Sequence, residues 1–425
     1  MADNKIGLSE SIAIGVGGMV GGGIFAVLGL AVSLAQGGTP IAFMIAGFIT
    51  FLTAYSYSKL STAFPDKGGT VRFINEGFGI TTLSGGLNNL LWISYIIMLS
   101  LYASAFGSYA PNLLSITGNT SIDGHIYMSF IIIFSTLINY YSIKVVGEIE
   151  AIAVLIKLII LLGFIAIGFY GLSDNPHATQ LTIENWNSPL QLIAGGMVIF
   201  VAYEGFELIA NSSPEIRNPK KNIPRAYMIS VSFVILLYVA ISVVTVGSLD
   251  FSSIAQAEDY VLAEAAKPQL GQLGFTIITI AALISTFSAI NATLLGGSRV
   301  SYEVAEDREL PHFFAMEFHG KPIGLMIITI FTLVLANTLD LETISTSGSI
   351  GFLLIFASVN RVAMIKSKEI GISKIVAGMA FTACTIALGV LIVQQLQESY
   401  IGVLISLGII LSCFIGEYLY KKSKS

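Results

Sequence analysis

Two apolar stretches of this chain are interrupted by residues that a membrane helix should not contain. The first reads Gly15-Val16-Gly17-Gly18-Met19-Val20-Gly21-Gly22-Gly23-Ile24-Phe25, and the second Phe200-Val201-Ala202-Tyr203-Glu204-Gly205-Phe206-Glu207. Inside a helix, glycine costs about 1 kcal/mol relative to alanine. A carboxylate at mid-membrane costs about 2.5–3.5 kcal/mol on insertion scales. Interruptions at matching places of two halves mark the binding site of a secondary transporter. What matters is whether these two segments occupy matching places.

Of the 425 residues, 54% are hydrophobic and 11% charged, with a mean hydropathy of +0.81. Soluble domains carry about 25% charged residues, so the composition is that of a polytopic membrane protein. The net charge of −5 gives nucleic acid no footing. Cys384 and Cys413 both lie in apolar runs, so neither a disulfide nor a metal or cofactor site is expected from them. Residues 1–10 are polar and lack a signal-peptide core, so the first apolar run is expected to stay as a span.

Apolar stretches of about 20 residues number twelve: 10–34, 40–63, 80–109, 126–144, 150–172, 188–212, 226–247, 273–300, 323–338, 344–364, 375–394 and 399–420. With a cytoplasmic N-terminus, 19 of the 21 Lys and Arg fall on cytoplasmic segments or span ends, including Lys67, Arg72, Arg217, Lys220, Lys221, Arg225, Lys366 and Lys421. The exceptions are Lys267 and Lys157, and the loops 111–125, 173–187, 339–343 and 395–398 carry none. This asymmetry predicts both termini inside and a multi-pass protein of the cell membrane.

The broken segments are spans one and six. Five spans separate their starts, so a second five-span unit enters the membrane from the opposite side, as in an inverted repeat. The expected fold class is an all-α polytopic membrane protein: a cytoplasmic segment 1–9, a first repeat 10–172, a second repeat 188–364, two added helices in 375–420 and a cytoplasmic tail 421–425. Loops 64–79 and 213–225 are expected to be long and cytoplasmic. The second holds Pro214, Pro219 and Pro224 and is not helical throughout. Stretch 251–267 is expected to form a short amphipathic helix on the outer face.

Unwinding in lipid leaves main-chain groups unpaired, which is tolerated only where they are buried in protein or line a polar cavity. Such N–H groups suit a carboxylate, and such carbonyls suit an ammonium. The expected donors are Gly21, Gly22, Gly23 and Ile24. The expected acceptors are Met19, Val201 and Glu204. A packing role competes, since Gly17 with Gly21 and Gly18 with Gly22 fit GxxxG faces. No strand precedes the glycines, so they are not a dinucleotide fingerprint. Three roles are open to Glu204 and Glu207: binding a proton, meeting a substrate amine, or capping freed N–H groups. Lys157 lies roughly 12 Å into span five at 1.5 Å per residue, deeper than a lysine snorkels. Carbonyls of the first break and the hydroxyls of Ser285, Thr286 and Ser288 would favour its charged form. The hypothesis is that its ammonium fills a cation site and carries the coupling proton; the alternative is a lysine that only bridges helices.

These residues resemble the amino acid–polyamine–organocation superfamily, in particular its archaeal and bacterial proton-coupled, broad-specificity permeases. Residues 17–25 resemble the span-one GSxxGSGIF-like pattern, with Gly18 and Gly22 where Ser or Thr is usual. Pro65-Asp66-Lys67-Gly68-Gly69 resembles the P-x-x-GG loop, with Val71 replacing a tyrosine. Residues 200–207 resemble the F-x-Y-x-G-F-[DE] break, and 215–226 the E-x-x-NP-x-x-x-x-P-x-A continuation, the most specific match. Gly297-Ser298-Arg299 with Tyr302, Asp307, Leu310 and Pro311 resembles the end of span eight, with Arg308 in place of glycine. The resemblance implies that span-one amides hold the substrate carboxylate and that carbonyls of both breaks hold its amine. It implies a proton-coupling role for Lys157, and wall or lid roles for Tyr203 and Phe206, which packing would explain equally. Tyr95 and Tyr102 are further candidates for the pocket, and spans 3, 6, 8 and 10 are expected to set selectivity.

The expected function is secondary transport of an amino acid by alternating access, driven by protons and independent of sodium. The alternative is exchange of amino acids against amines or polyamines. A channel would show a repeated filter or charged ring. An enzyme would pair a nucleophile with a base, yet His125, His177, His312 and His319 lie outside any such motif.

Overall fold

The computed structural model describes residues 5–141, 143–173, 175–307, 309, 316–318, 321–398 and 400–424. Arg308, Leu310, Pro311, His312 and His319 of the sequence analysis lie outside them. The chain is a bundle of helices: α1 (Leu8–Met19), α2 (Gly23–Ala35), α3 (Thr39–Ala63), α4 (Thr70–Phe78), α5 (Thr82–Tyr109), α6 (Thr120–Tyr141), α7 (Ile143–Leu172), α8 (Pro189–Val198), α9 (Leu208–Asn211) and α10 (Pro219–Ser248). There follow α11 (Phe251–Gln256), α12 (Val261–Glu264), α13 (Lys267–Glu306), α14 (Ile323–Thr338), α15 (Leu341–Ile365), α16 (Ser367–Ile370), α17 (Lys374–Glu398) and α18 (Tyr400–Lys424). The strands described are the two-residue pair Glu317–Phe318 and Lys321–Pro322.

Among the described residues ten helical segments, with Pro189–Asn211 taken as one, are long and apolar enough to cross a membrane, and the bent pair α1 and α2 together makes an eleventh candidate span. The 16-residue apolar helix α14 coincides with the expected ninth stretch. Hydropathy locates these elements because a membrane span must satisfy its backbone within itself. The central helix α5 is buried along nearly its whole length, from Ser84 to Tyr109, and so shows no single apolar stripe. It runs along α13, while α3 runs along α10 and α15 along α17. An aromatic cluster of Tyr57, Phe206, Tyr227 and Phe356, with edge-on and tilted rings, ties α3, α10 and α15 to the second break, with centroid separations of 5.1–6.4 Å.

The structure adds detail to the three loop expectations. Stretch 64–79 contains α4, which starts after a tight turn where Asp66 Oδ1 accepts the Gly68 N–H at 2.8 Å and Gly69 adopts φ +51°. Its Val71, Phe73 and Ile74 are buried and anchor it. Stretch 213–225 is not helical throughout, as expected: a 3-10 turn covers Ser213–Glu215, residues 216–218 are not helical, and α10 begins at Pro219, because proline suits the first helical position, where no N–H is needed. Stretch 251–267 is not one helix lying on a surface. It folds into α11, a 3-10 turn Glu258–Tyr260 and α12, and it packs into the protein against α2 and α13. Ile254, Val261, Leu262, Ala263, Ala265 and Ala266 are all buried. That is more apolar surface than one stripe of a surface helix presents.

Candidate substrate site at two helix breaks

Both interruptions read from the sequence are breaks. α1 ends at Met19 and α2 starts at Gly23, with the two axes bent by 47°. The first hydrogen bond of α2 runs from Ala26 N–H to Gly22 O, at 2.9 Å. The N–H groups of Gly23, Ile24 and Phe25 therefore precede the helical ladder and point from the positive end of a helix. In the second segment α8 ends at Val198 and a 3-10 turn covers Ile199–Tyr203. Glu204 is extended, and Gly205 takes φ +111°, which L-residues rarely adopt.

The breaks cross backbone to backbone. A Cβ on Gly18 would sit 2.7 Å from Gly205 O, and one on Gly205 would sit 2.8 Å from Met19 N. A Cβ on Gly23 would meet Ala202 Cα at 2.8 Å. Gly21 packs against Ala289, and Gly22 lies under the Tyr102 ring, where a Cβ would be 2.5 Å from Cδ1. The glycines thus serve close packing and the break at once; the two readings of them were not exclusive.

Hydroxyls from neighbouring helices satisfy the exposed carbonyls. Tyr238 Oη donates to Met19 O at 2.6 Å and reaches Ala202 O at 3.2 Å, so one phenol bridges both breaks. Ser285 Oγ reaches Val20 O at 3.0 Å and Gly21 O at 2.9 Å. Ser345 and Ser349 donate to Val198 O at 2.9 and 2.8 Å, and Ser349 Oγ also accepts the Val201 N–H at 3.2 Å. Sequence reasoning missed Tyr238, Ser345 and Ser349. The run Ser345-Thr346-Ser347-Gly348-Ser349, polar within an apolar span, was the available signal. Replacing Tyr238 by Phe removes the bridging donor and should cost about 1 kcal/mol of stability. Thermal unfolding of the detergent-solubilised protein checks this, and an unchanged midpoint would show that the bridge contributes nothing.

Lys157 is fully buried, and its Nζ donates to Gly17 O at 3.1 Å. Gly17 belongs to the last turn of α1, whose carbonyls carry partial negative charge that favours a cation. Ser285 and Ser288, one helical turn apart on α13, are both fully buried. Thr286 instead turns its hydroxyl back onto Ala282 O at 2.8 Å. Glu207, fully buried, accepts the Gly205 N–H on Oε2 at 2.8 Å and so caps a freed donor. Glu204, 3% exposed, accepts from Tyr102 Oη at 3.2 Å. Tyr203 donates to Phe43 O at 2.8 Å and packs on Tyr238. Phe206 sits in the aromatic cluster, so both side chains are packing groups in this conformation. Among the described residues no group of three or more His, Cys, Asp or Glu is placed to hold a metal ion.

A cavity of about 490 Å³ opens beyond α2, lined by Leu30, Ser104, His125, Glu258, Asp259 and Glu342 among others. Burial, with Asp259 and Glu342 alongside, raises the Glu258 carboxyl above its ordinary range. Leu30 lies about 10 Å along α2 from the break at 1.5 Å per residue.

Two discontinuous helices crossing inside an apolar bundle, their main-chain ends buried, define a membrane carrier. The chain belongs to the amino acid permease family, which matches residues 6–412, and through it to the amino acid–polyamine–organocation superfamily. It is similar to an uncharacterized protein of Methanocaldococcus jannaschii, 34% identical over 99% of this chain and 96% of the relative. The inner membrane transport protein YbaT of Escherichia coli is 30% identical over 85% of this chain and 84% of its own length. The branched-chain amino acid permease BcaP of Lactococcus lactis is 26% identical over 82% and 78%. The protein is a multi-pass membrane transporter of amino acids and not an enzyme.

Proposed function

We propose that this transporter is a proton-coupled, sodium-independent carrier of the cell membrane, with both termini cytoplasmic and the halves 10–172 and 188–364 rocking about the breaks. The substrate carboxylate binds the N–H groups of Gly21, Gly22, Gly23 and Ile24. Its ammonium binds the main-chain oxygens of Met19, Val201 and Glu204, with Tyr203 and Phe206 moving into the wall as the site opens. Lys157, Glu204 and Glu207 handle the proton, and Ser285 and Ser288 support the cation site. The observation that carries proton coupling is the Lys157 ammonium on Gly17 O. A fixed cation there, at the end of a broken helix, takes the place a bound sodium ion would fill, and losing its proton would release α1. The acidic cavity past Leu30 is the outer entrance.

Purified protein in liposomes, supplied with labelled amino acids and amines, tests this with the pH and sodium gradients varied separately. Uptake should rise above equilibrium when the outside is acid, and should ignore sodium. Uptake that requires internal counter-substrate and ignores the pH gradient would replace the reading by an exchanger of amino acids against amines.

A further inference from the structure

Glu204 and Glu207 form a pair of buried carboxyls at the second break. Both side chains are buried, three positions apart in the sequence at one break, and each lies within the field of the other. Two carboxylates, both acceptors only, cannot bond one another, so closure of the pair requires a proton or another cation. Glu207 Oε1 makes no hydrogen bond although the residue is fully buried. A buried acceptor left open in this way calls for a donor that the surrounding side chains do not supply. Facing the pair are the phenols of Tyr95 and Tyr102 from α5, Tyr57 from α3 and Tyr227 from α10. Tyr102 donates to Glu204, and Tyr95 stands beside Glu207 without closing a hydrogen bond onto Oε1. Lys157, from α7, directs a bond to Gly17 O. The Tyr102 ring also covers Gly22, which places the pair next to the first turn of α2, where a substrate carboxylate would lie.

We infer that Glu204 and Glu207 form one cation subsite that a proton and a second substrate ammonium occupy in turn. The inference rests on the proposed amino acid transport and adds a substrate class to it. A zwitterionic amino acid needs a proton on the pair, which travels with it and leaves on the inner side. An amino acid with a second amine places that ammonium between the carboxylates, and the proton stays behind. Buried like charges cannot both remain ionised without such a partner, so the two cations exclude one another. Charge crossing the membrane is the same in both cases: a zwitterion plus a proton, or a cation alone.

The test uses the full-length protein in liposomes containing a pH-sensitive dye. Labelled alanine is the zwitterionic probe; lysine, ornithine and 2,4-diaminobutyrate are the two-amine probes. Alanine entry should acidify the lumen, and entry of the two-amine probes should not. Inhibition of alanine uptake by the two-amine probes should strengthen as pH rises from about 5.5 to 7.5, by up to about tenfold per unit for one competing proton. In Glu204→Gln and Glu207→Gln the ratio of two-amine to alanine uptake should fall about tenfold or more. The wild-type competition stands even where a variant fails to fold. A wild-type protein that carries alanine but neither carries nor is inhibited by the two-amine probes would overturn this inference and leave the amino acid carrier intact. So would pH-independent competition, or equal lumen acidification by both classes. Failure to carry any of the four would overturn the carrier reading as well.

Discussion

Lys157→Ala should abolish uptake driven by a pH gradient while leaving the protein inserted and folded. The ammonium supplies a charge-assisted hydrogen bond to Gly17 O in a fully buried setting. Such bonds are worth about 1.5–3 kcal/mol, so a drop of about tenfold to a hundredfold in coupled uptake is expected. A lysine that only bridges α7 and α1 predicts something different: lower stability, with the pH dependence of the remaining uptake retained. A coupling lysine predicts a flat pH profile, with substrate exchange across the membrane at equal pH preserved. Uptake in Lys157→Ala that still follows the imposed pH gradient would remove Lys157 from the mechanism. Size-exclusion chromatography of the same preparation separates loss of coupling from loss of folding.

Gly205→Ala should be strongly destabilising. At φ +111° an L-residue is strained, and its Cβ would meet Gly18 O at 2.7 Å and Met19 N at 2.8 Å. Those are main-chain atoms of the other break and cannot rotate away. Strain of about 1–3 kcal/mol and overpacking of about 1–3 kcal/mol act together, against a total stability of order 5–15 kcal/mol. Gly18→Ala meets the same crossing from the other side. Gly416→Ala is the control: no atom lies within 4 Å of the added methyl, so it should be neutral, or stabilising by at most about 1 kcal/mol. Melting curves of the three variants in one detergent decide the matter. Equal midpoints for Gly205→Ala and Gly416→Ala would mean that the two breaks do not depend on this contact.

The spans and both breaks were legible in the sequence because their causes are local. Apolar length and glycine or carboxylate content act within one segment, and in lipid each segment must satisfy its own backbone. Stretch 15 to 25 therefore announced a break before any partner was known, as did 200 to 207. For 251–267 the composition told how apolar the stretch was, but not that it would divide into two short helices or which surfaces would cover it. Tyr203 and Phe206 sit at the second break as expected, yet their rings point into packing with Phe43, Tyr57 and Phe356. Direction around a broken turn depends on neighbours that no local pattern names.

The amino-acid sequence by itself determined the membrane class, the spans and the two places where helices must unwind. Only the tertiary structure decided who satisfies the unwound backbone: Tyr238 reaches Met19 across 219 positions, Ser285 reaches Gly21 across 264, and Lys157 reaches Gly17 across 140. It also decided that Gly18 and Gly205 touch, and that Glu204 and Glu207 face the same phenols. The physical reason is range. Hydropathy and helix propensity are sums over adjacent residues, whereas a hydrogen bond between distant helices exists only once packing has brought its donor and acceptor within about 3 Å.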